Sequence, residues 1–105
     1  MEGKISIKYL QNYIKAKDYN PELVKDYFLK LSEEVGELSK AIRKDLRSQN
    51  SDDIKGTIDE EIWDVIYYAL AIANLYDIDM EQVIKTKEQM NQIKYPSDVV
   101  FEENR

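Results

Sequence analysis

Apolar residues recur along this chain at the spacing of amphipathic α-helices. In two stretches they follow one another at intervals of 4, 3, 4, 3 and 4 residues. The first stripe comprises Val24, Phe28, Leu31, Val35, Leu38 and Ile42, and the second comprises Ile58, Ile62, Val65, Ala69, Ile72 and Tyr76. This spacing predicts two helices that pack through these stripes, and we expect both stripes to form the core.

Capping residues divide the chain into elements. The pattern predicts helices over residues 5–17, 21–47, 58–76 and 80–93. Asn20 and Pro21 indicate the start of the second helix, since an N-cap residue is followed by proline at the first helical position. Thr57 and Glu60 form a capping box for the third helix, and Asp79 begins a similar motif for the fourth.

The predicted fold is all-α. We expect a single domain over residues 1–105, with a helical core at about 5–96, a tail at 97–105 and four helices in a bundle-like arrangement whose two central helices run antiparallel. Ile66, Leu70 and Ala73 give the third helix a second apolar face. Three other short helices are not expected to cover both faces, unless the tail around Val99 and Phe101 folds back as cover. The sequence therefore predicts a homo-oligomer, either a homodimer or a homotetramer.

Composition restricts the partners and the chemistry. With 15 Lys+Arg against 21 Asp+Glu, the net charge of −6 argues against binding to nucleic acid or to an anionic membrane surface. The absence of Cys and His leaves only oxygen ligands for a metal, which favours Mg²⁺, with Mn²⁺ as an alternative. The longest apolar stretch, Ile62 to Tyr76, is too short to span a bilayer. A soluble, cytoplasmic protein is expected.

Acidic residues cluster on the two central helices. Glu33, Glu34 and Glu37 lie within five residues, and Glu61 and Asp64 follow after a gap of 23 residues. Like charges at i,i+3 and i,i+4 destabilise an isolated helix. Antiparallel packing would place Glu34 and Glu37 opposite Glu61 and Asp64, so that the four carboxylates surround a divalent cation. We therefore predict one metal site formed by these two pairs.

The fourth helix carries polar residues that suit a nucleotide. Lys87, Asn91 and Tyr95 follow at i, i+4 and i+8 and share one side of the helix. They offer a cation for phosphate, an amide for a sugar or base edge and a ring for stacking. On the third helix, Tyr68 lies one turn after Asp64, on the side of the acids.

Two motifs together resemble a known family. E-E-V-G-E, the 23-residue gap and E-I-W-D match the E-E-x-x-E…E-x-x-D signature of the MazG-like, all-α nucleoside triphosphate pyrophosphohydrolases. The later motif K-x-x-x-N-x-x-K-Y-P, which ends at Pro96, is similar to that of their dCTP-pyrophosphatase branch. The resemblance covers about residues 5–96.

The resemblance implies a reaction and a role for each residue. Enzymes of this family cleave a nucleoside triphosphate between the α- and β-phosphates with Mg²⁺, which releases a monophosphate and pyrophosphate, and they serve in nucleotide-pool clean-up. The metal ligands would be Glu34, Glu37, Glu61 and Asp64, and Glu33 would be the catalytic base that aligns the attacking water. The nucleotide contacts would be Tyr68, Lys87, Asn91, Lys94 and Tyr95.

Several alternatives stay open at this point. The first alternative is a non-catalytic helical assembly or regulatory module, whose acids would only hold a structural ion or face water. The second is an enzyme like phosphoribosyl-ATP pyrophosphohydrolase, a further relative. Asn74 lies within an apolar run and is either a buried, hydrogen-bonded amide or an outer-shell contact of the metal. Some relatives place His and several Trp around the base, whereas this chain has no His and only Trp63. The base preference is therefore open.

Overall fold

Within residues 3–50 and 52–102, which the computed structural model describes, the chain forms four α-helices and no strand. The elements are α1 (Ile7–Lys17), a 3₁₀ turn (Pro21–Leu23), α2 (Val24–Arg43), α3 (Ile58–Leu75) and α4 (Met80–Lys94). The prediction of an all-α fold is confirmed. No helix in these residues is long and apolar enough to cross a membrane.

Side-chain caps start three of the helices. Ser6 Oγ accepts a hydrogen bond from the Tyr9 N–H at the start of α1, and Thr57 Oγ1 accepts one from the Glu60 N–H at the start of α3. Asp79 caps α4 by accepting from two backbone N–H groups of its first turn. These bonds satisfy N–H groups that have no partner inside a helix. The predicted caps at Thr57 and Asp79 are therefore confirmed.

The second helix differs from its prediction at both ends. The chain after Asn20 first forms the 3₁₀ turn, and the Asn20 side chain donates to the Tyr27 hydroxyl instead of capping a helix. At the other end α2 stops at Arg43 and not at Arg47. Asp45 has a φ of 53°, and the Leu46 N–H donates to the Ala41 carbonyl, 3.0 Å away, as in a Schellman motif. Glycine is the usual residue at such a position, so the sequence contained no clear stop signal here.

α2 and α3 form the main helix pair and run antiparallel. The Ile58 N–H at the start of α3 donates to the Leu46 carbonyl just after α2, with an N–O distance of 2.8 Å. Tyr27 from the beginning of α2 belongs to the same buried cluster as Leu70 and Ala71 from the later part of α3. α1 joins this core through Ile14, which is fully buried.

A buried amide pair ties α1 to the end of α3. Gln11 Nε2 donates to Asn74 Oδ1 at 3.0 Å and to the Ile78 carbonyl at 2.9 Å. Asn74 Nδ2 donates in turn to the Gln11 carbonyl, and Gln11 Oε1 accepts from the Met80 N–H. Asn74 is thus a buried, hydrogen-bonded amide, which decides between its two sequence interpretations.

The prediction that both apolar stripes lie in the core is only half right. On α2, Leu31 and Leu38 are half-buried, whereas Phe28 is 60% exposed and Val35 and Ile42 are exposed as well. The α3 stripe is also exposed in part, at Ile62, Ala69 and Tyr76. Only one side of the α2–α3 pair is covered by α1, so the exposed residues that face the other side have no partner among the described residues.

α4 extends away from the packed helices. It contains no buried residue, and beyond Met80 its main contacts are with α1. The Cα radius of gyration is 16.2 Å, compared with about 13 Å expected for a compact domain of this length. The packed unit of one chain therefore consists of α1, α2 and α3, and not of all four helices.

Replacing Gln11 tests the amide pair. We expect Gln11→Ala to lower the free energy of unfolding by about 2 kcal/mol or more, because Asn74 and two backbone groups lose buried hydrogen-bond partners. Urea unfolding at fixed protein concentration measures this change. Asn12→Ala, at the exposed neighbouring position, is the control and should change stability little. Equal effects of the two substitutions would contradict this account.

Candidate metal and nucleotide site

Antiparallel packing brings three of the predicted acids together. Glu61 and Asp64 lie one turn apart on the same face of α3, and Glu34 lies opposite them on α2. One carboxylate oxygen from each residue lies within 4.8 Å of the other two. We refer to Glu34, Glu61 and Asp64 as the acid cluster.

Glu61 is the most constrained member of the acid cluster. Its side chain is buried, with 8% of the residue exposed, and its Oε1 has no hydrogen-bond partner among the described residues. Burial, followed by the charges of Asp64 and Glu34, raises its pKa from 4.5 to about 7. An unpartnered buried carboxylate is costly unless a cation or a proton neutralises it.

The acid cluster has the chemistry of a site for a hard divalent cation. Burial also raises the pKa of Asp64, and the nearby charge of Glu60 adds to this effect. The ammonium of Lys55 acts in the opposite direction and lowers that pKa. Three carboxylates with an unpartnered oxygen suit Mg²⁺ or Mn²⁺, which prefer oxygen ligands.

The other two predicted acids on α2 lie outside the acid cluster. Glu37 is exposed and is not among the oxygens that lie within 4.8 Å of one another. Glu33 is exposed too, and its carboxylate forms an ion pair with Lys30 at 3.7 Å. The structure therefore places Glu33 and Glu37 at the solvent side of α2.

A cavity of about 180 Å³ lies one helical turn from the acid cluster. Tyr68, four residues after Asp64, lines it from α3, and Lys30, four residues before Glu34, lines it from α2. The remaining lining residues are Asp18, Asn20, Leu23, Asp26 and Tyr27. Tyr68 is thus placed as the sequence predicted, on the cavity side of the acids.

Asp18 is a residue of this cavity that the sequence analysis missed. Its two carboxylate oxygens accept hydrogen bonds from the hydroxyls of Tyr27, at 2.6 Å, and Tyr67, at 3.1 Å. Burial and these bonds to Asp18 raise the pKa of both tyrosines. Asp18 thereby fixes the end of α1 against α2 and α3. No local pattern indicates this, because the partners lie 9 and 49 residues away in the chain.

The predicted nucleotide contacts on α4 do not meet the acid cluster within one chain. α4 begins beyond the far end of α3, about 16 Å along the helix axis from Asp64. Asn91 Nδ2 donates to Glu88 Oε2 at 3.4 Å, and the Lys94 ammonium lies 5.4 Å from the centre of the Tyr95 ring. Lys87 and Tyr95 are exposed.

Comparison with known proteins identifies the family of this chain. The MazG nucleotide pyrophosphohydrolase domain family matches residues 24–94, which include both acidic motifs. The chain belongs to the MazG family. Among curated protein sequences no relative matches. Membership in the MazG family implies a nucleotide pyrophosphohydrolase, and such enzymes generally depend on a divalent metal.

Solved structures of a MazG protein have the same fold. The N-terminally tagged form of iMazG from Vibrio DAT 722 is 44% identical, with a TM-score of 0.81 over 89% of this chain and 100% of that one. A C-terminally tagged form of the same protein is also 44% identical and has a TM-score of 0.79, covering 84% of this chain and 99% of that one. The likeness confirms the predicted MazG-type helical fold.

The burial of Glu61 predicts a pH dependence of stability. Because its pKa rises from 4.5 to about 7 on folding, the folded protein binds more protons between these values. The stability of the metal-free protein should therefore fall as the pH rises through this window. Glu61→Gln removes the effect and should stabilise the protein by roughly 2 kcal/mol at pH 8, with little change near pH 4.

Urea unfolding in EDTA at both pH values measures this effect. Glu22→Gln, at an exposed position outside the acid cluster, is the control and should show no such pH-dependent gain. If Glu61→Gln and the wild type had the same stability at pH 8, ionisation of Glu61 would not oppose folding and this explanation would be wrong.

Proposed function

We propose that this protein is a Mg²⁺-dependent nucleoside triphosphate pyrophosphohydrolase. It cleaves the anhydride between the α- and β-phosphates of a ribo- or deoxyribonucleotide and releases a monophosphate and pyrophosphate, as an enzyme of nucleotide-pool clean-up. The observation that carries this proposal is the buried carboxylate of Glu61, one oxygen of which has no partner among the described residues, beside Asp64 and Glu34.

Glu34, Glu61 and Asp64 would hold Mg²⁺, with Glu37 as a fourth ligand and Mn²⁺ as an alternative metal. When bound, the ion supplies the positive charge that lets an acidic protein hold a polyphosphate. Glu37 lies one turn beyond Glu34 on α2 and is exposed, so its side chain is free to turn toward the metal. Glu61, the buried member of the acid cluster, is held by the packing of α3 against α2.

Glu33 is the proposed catalytic base. It lies about 100° around α2 from Glu34, outside the acid cluster, and its ion-pair partner Lys30 lines the cavity. Its ion pair with Lys30 is exposed and therefore weak, which leaves the carboxylate available to a water molecule. Glu33 takes one proton as the water oxygen adds to a phosphorus of the α–β anhydride. The bridging oxygen leaves with the other phosphorus.

The cavity beside the acid cluster takes the nucleoside. Tyr68 offers a ring for stacking, and Asn20 and Asp26 offer hydrogen-bonding groups along the walls. Because the cavity begins one turn from the metal ligands on both helices, a nucleotide whose phosphates lie at the metal can place its nucleoside there. These groups do not select one base, in agreement with the open base preference.

A second copy of the chain completes the protein. Phe28, Val35 and Ile42 on α2 and the exposed α3 residues Ile62, Ile66 and Tyr76 form an apolar face along the helix pair. Large exposed apolar faces of soluble proteins generally mark sites of contact with another molecule. One end of this face forms an apolar groove of about 510 Å³ that includes Phe28 and Tyr76. We propose a homodimer, or a homotetramer built from it.

Such an assembly gives α4 a role. Lys87, Asn91, Lys94 and Tyr95 lie on a helix that extends from its own chain and does not approach its own acid cluster. In the proposed homo-oligomer these four residues contact the nucleotide that is bound to the acid cluster of the partner copy.

A panel of ribo- and deoxyribonucleoside triphosphates tests the activity. We expect Mg²⁺-dependent release of pyrophosphate, and we expect Glu61→Gln and Asp64→Asn to lose it while staying folded by circular dichroism. Each variant removes a ligand without adding bulk. Glu22→Gln is the control and should keep full turnover. If phosphoribosyl-ATP were the only substrate that releases pyrophosphate, the protein would instead be a phosphoribosyl-ATP pyrophosphohydrolase. No release from any substrate would favour the non-catalytic helical assembly.

Glu33→Gln separates the base from the metal ligands. Loss of a general base should lower kcat by roughly 10²–10⁴-fold and leave the Mg²⁺ dependence of turnover unchanged. Glu34→Gln should instead shift the Mg²⁺ titration of activity to higher concentration. Full recovery of Glu33→Gln in excess Mg²⁺ would show that Glu33 is a ligand and that its proposed role is wrong.

Mixing two inactive variants tests the shared site. Asp64→Asn lacks a metal ligand, and Asn91→Ala lacks a nucleotide contact on α4. In a mixed dimer one of the two sites carries neither substitution, so unfolding and refolding the variants together should restore up to about a quarter of wild-type activity at equal amounts. Each variant refolded alone is the control. No restoration, with a dimer confirmed by light scattering, would place Asn91 in the site of its own chain.

A further inference from the structure

The α2–α3 loop holds a lysine at the opposite end of the acid cluster from the cavity. The cavity lies toward the later part of α3, at Tyr68, four residues after Asp64. Lys55 lies before the start of α3, six residues before Glu61. The metal ligands therefore lie between the cavity on one side and Lys55 on the other.

The backbone around Lys55 is fixed by hydrogen bonds on both sides. The Gly56 N–H donates to Glu60 Oε1 at 2.6 Å, and Gly56 has a φ of 76°, a conformation that glycine adopts without strain. The N–H of Thr57 donates to the Ile54 carbonyl at 3.0 Å, and its hydroxyl donates to the same oxygen at 2.5 Å. The turn thus carries Lys55 in a defined place beside α3.

The Lys55 side chain is exposed but lies close to the acid cluster. Its ammonium is near enough to Asp64 to counteract part of the rise in the pKa of that carboxyl. Within residues 3–50 and 52–102 it forms no ion pair. The lysine is therefore available to an anion that also reaches the metal ligands.

A nucleoside triphosphate requires a cation at its outer phosphates. When the water oxygen adds to the α-phosphorus, the bridging oxygen leaves with the β-phosphorus, and negative charge develops on the departing pyrophosphate. A lysine placed at that end stabilises this charge, as cationic clamps do in phosphoryl transfer. With the nucleoside in the cavity and the α-phosphate at the metal ligands, the β- and γ-phosphates extend toward the α2–α3 loop.

We propose that Lys55 binds the β- and γ-phosphates and the departing pyrophosphate, so that the nucleotide lies along α3 with its nucleoside toward Tyr68 and its pyrophosphate toward the α2–α3 loop. This inference rests on the proposed function. It assigns the Tyr68 end of the site to the nucleoside monophosphate and the Lys55 end to the pyrophosphate. Lys55 contacts the leaving group and has no role in holding the metal.

Isothermal titration with inorganic pyrophosphate in Mg²⁺ tests the assignment. Lys55→Gln should weaken pyrophosphate binding about 10-fold, the effect of losing one hydrogen bond between charged groups, and should leave nucleoside monophosphate binding unchanged. Lys55→Arg, which keeps the charge, should retain most of the pyrophosphate affinity. Lys4→Gln, at an exposed position before α1, is the control and should bind both products as the wild type does.

Product inhibition of turnover gives an independent readout. The inhibition constant for pyrophosphate should rise about 10-fold in Lys55→Gln, whereas that for the monophosphate should not change. Unchanged pyrophosphate affinity, or equal weakening of both products, would overturn the assignment of Lys55 in an enzyme that is otherwise active. A wild-type protein that neither hydrolyses a triphosphate nor binds pyrophosphate would instead refute the proposed function.

Discussion

The antiparallel packing of α3 against α2 is the constraint on which the rest of the structure depends. It buries Glu61 and leaves one of its oxygens without a partner, next to the carboxylates of Asp64 and Glu34. Three like charges in a half-buried position oppose folding unless protons or a cation neutralise them. The helix pair is thus less stable by itself than an apolar core would be, and this loss of stability is what creates an attractive site for a divalent ion.

Two polar networks hold the surrounding elements against this pair. Asp18 accepts hydrogen bonds from Tyr27 and Tyr67, and so fixes the end of α1 beside the cavity. In the middle of α1, the side-chain amides of Gln11 and Asn74 bond to each other. Such bonds fix the relative positions of the helices in a small domain with a limited apolar core. Any other packing of the helices would leave these buried polar groups without partners, which lowers stability.

The exposed apolar face explains why one chain forms only part of the proposed enzyme. α1 covers one side of the helix pair, and Phe28, Val35 and Ile62 face the other side. α4 extends from this unit with its polar residues away from the acid cluster of the same chain. A second copy would cover the apolar face, and we propose that it also supplies the nucleotide contacts of α4.

The sequence by itself determined the helical elements, the all-α class and a set of five candidate acids, because helical periodicity, capping and the i,i+3 spacing of Glu61 and Asp64 are local properties. Which three of these acids lie together was decided by the tertiary structure. It did not predict the end of α2 at Arg43, since an aspartate occupies a left-handed position that glycine usually takes. Only the tertiary structure decided which half of each apolar stripe is buried, that Asn74 bonds to Gln11, and that Asp18 and Lys55 border the site. These contacts join residues distant in the chain, and their energies depend on the packing of helices against one another, which no local pattern specifies.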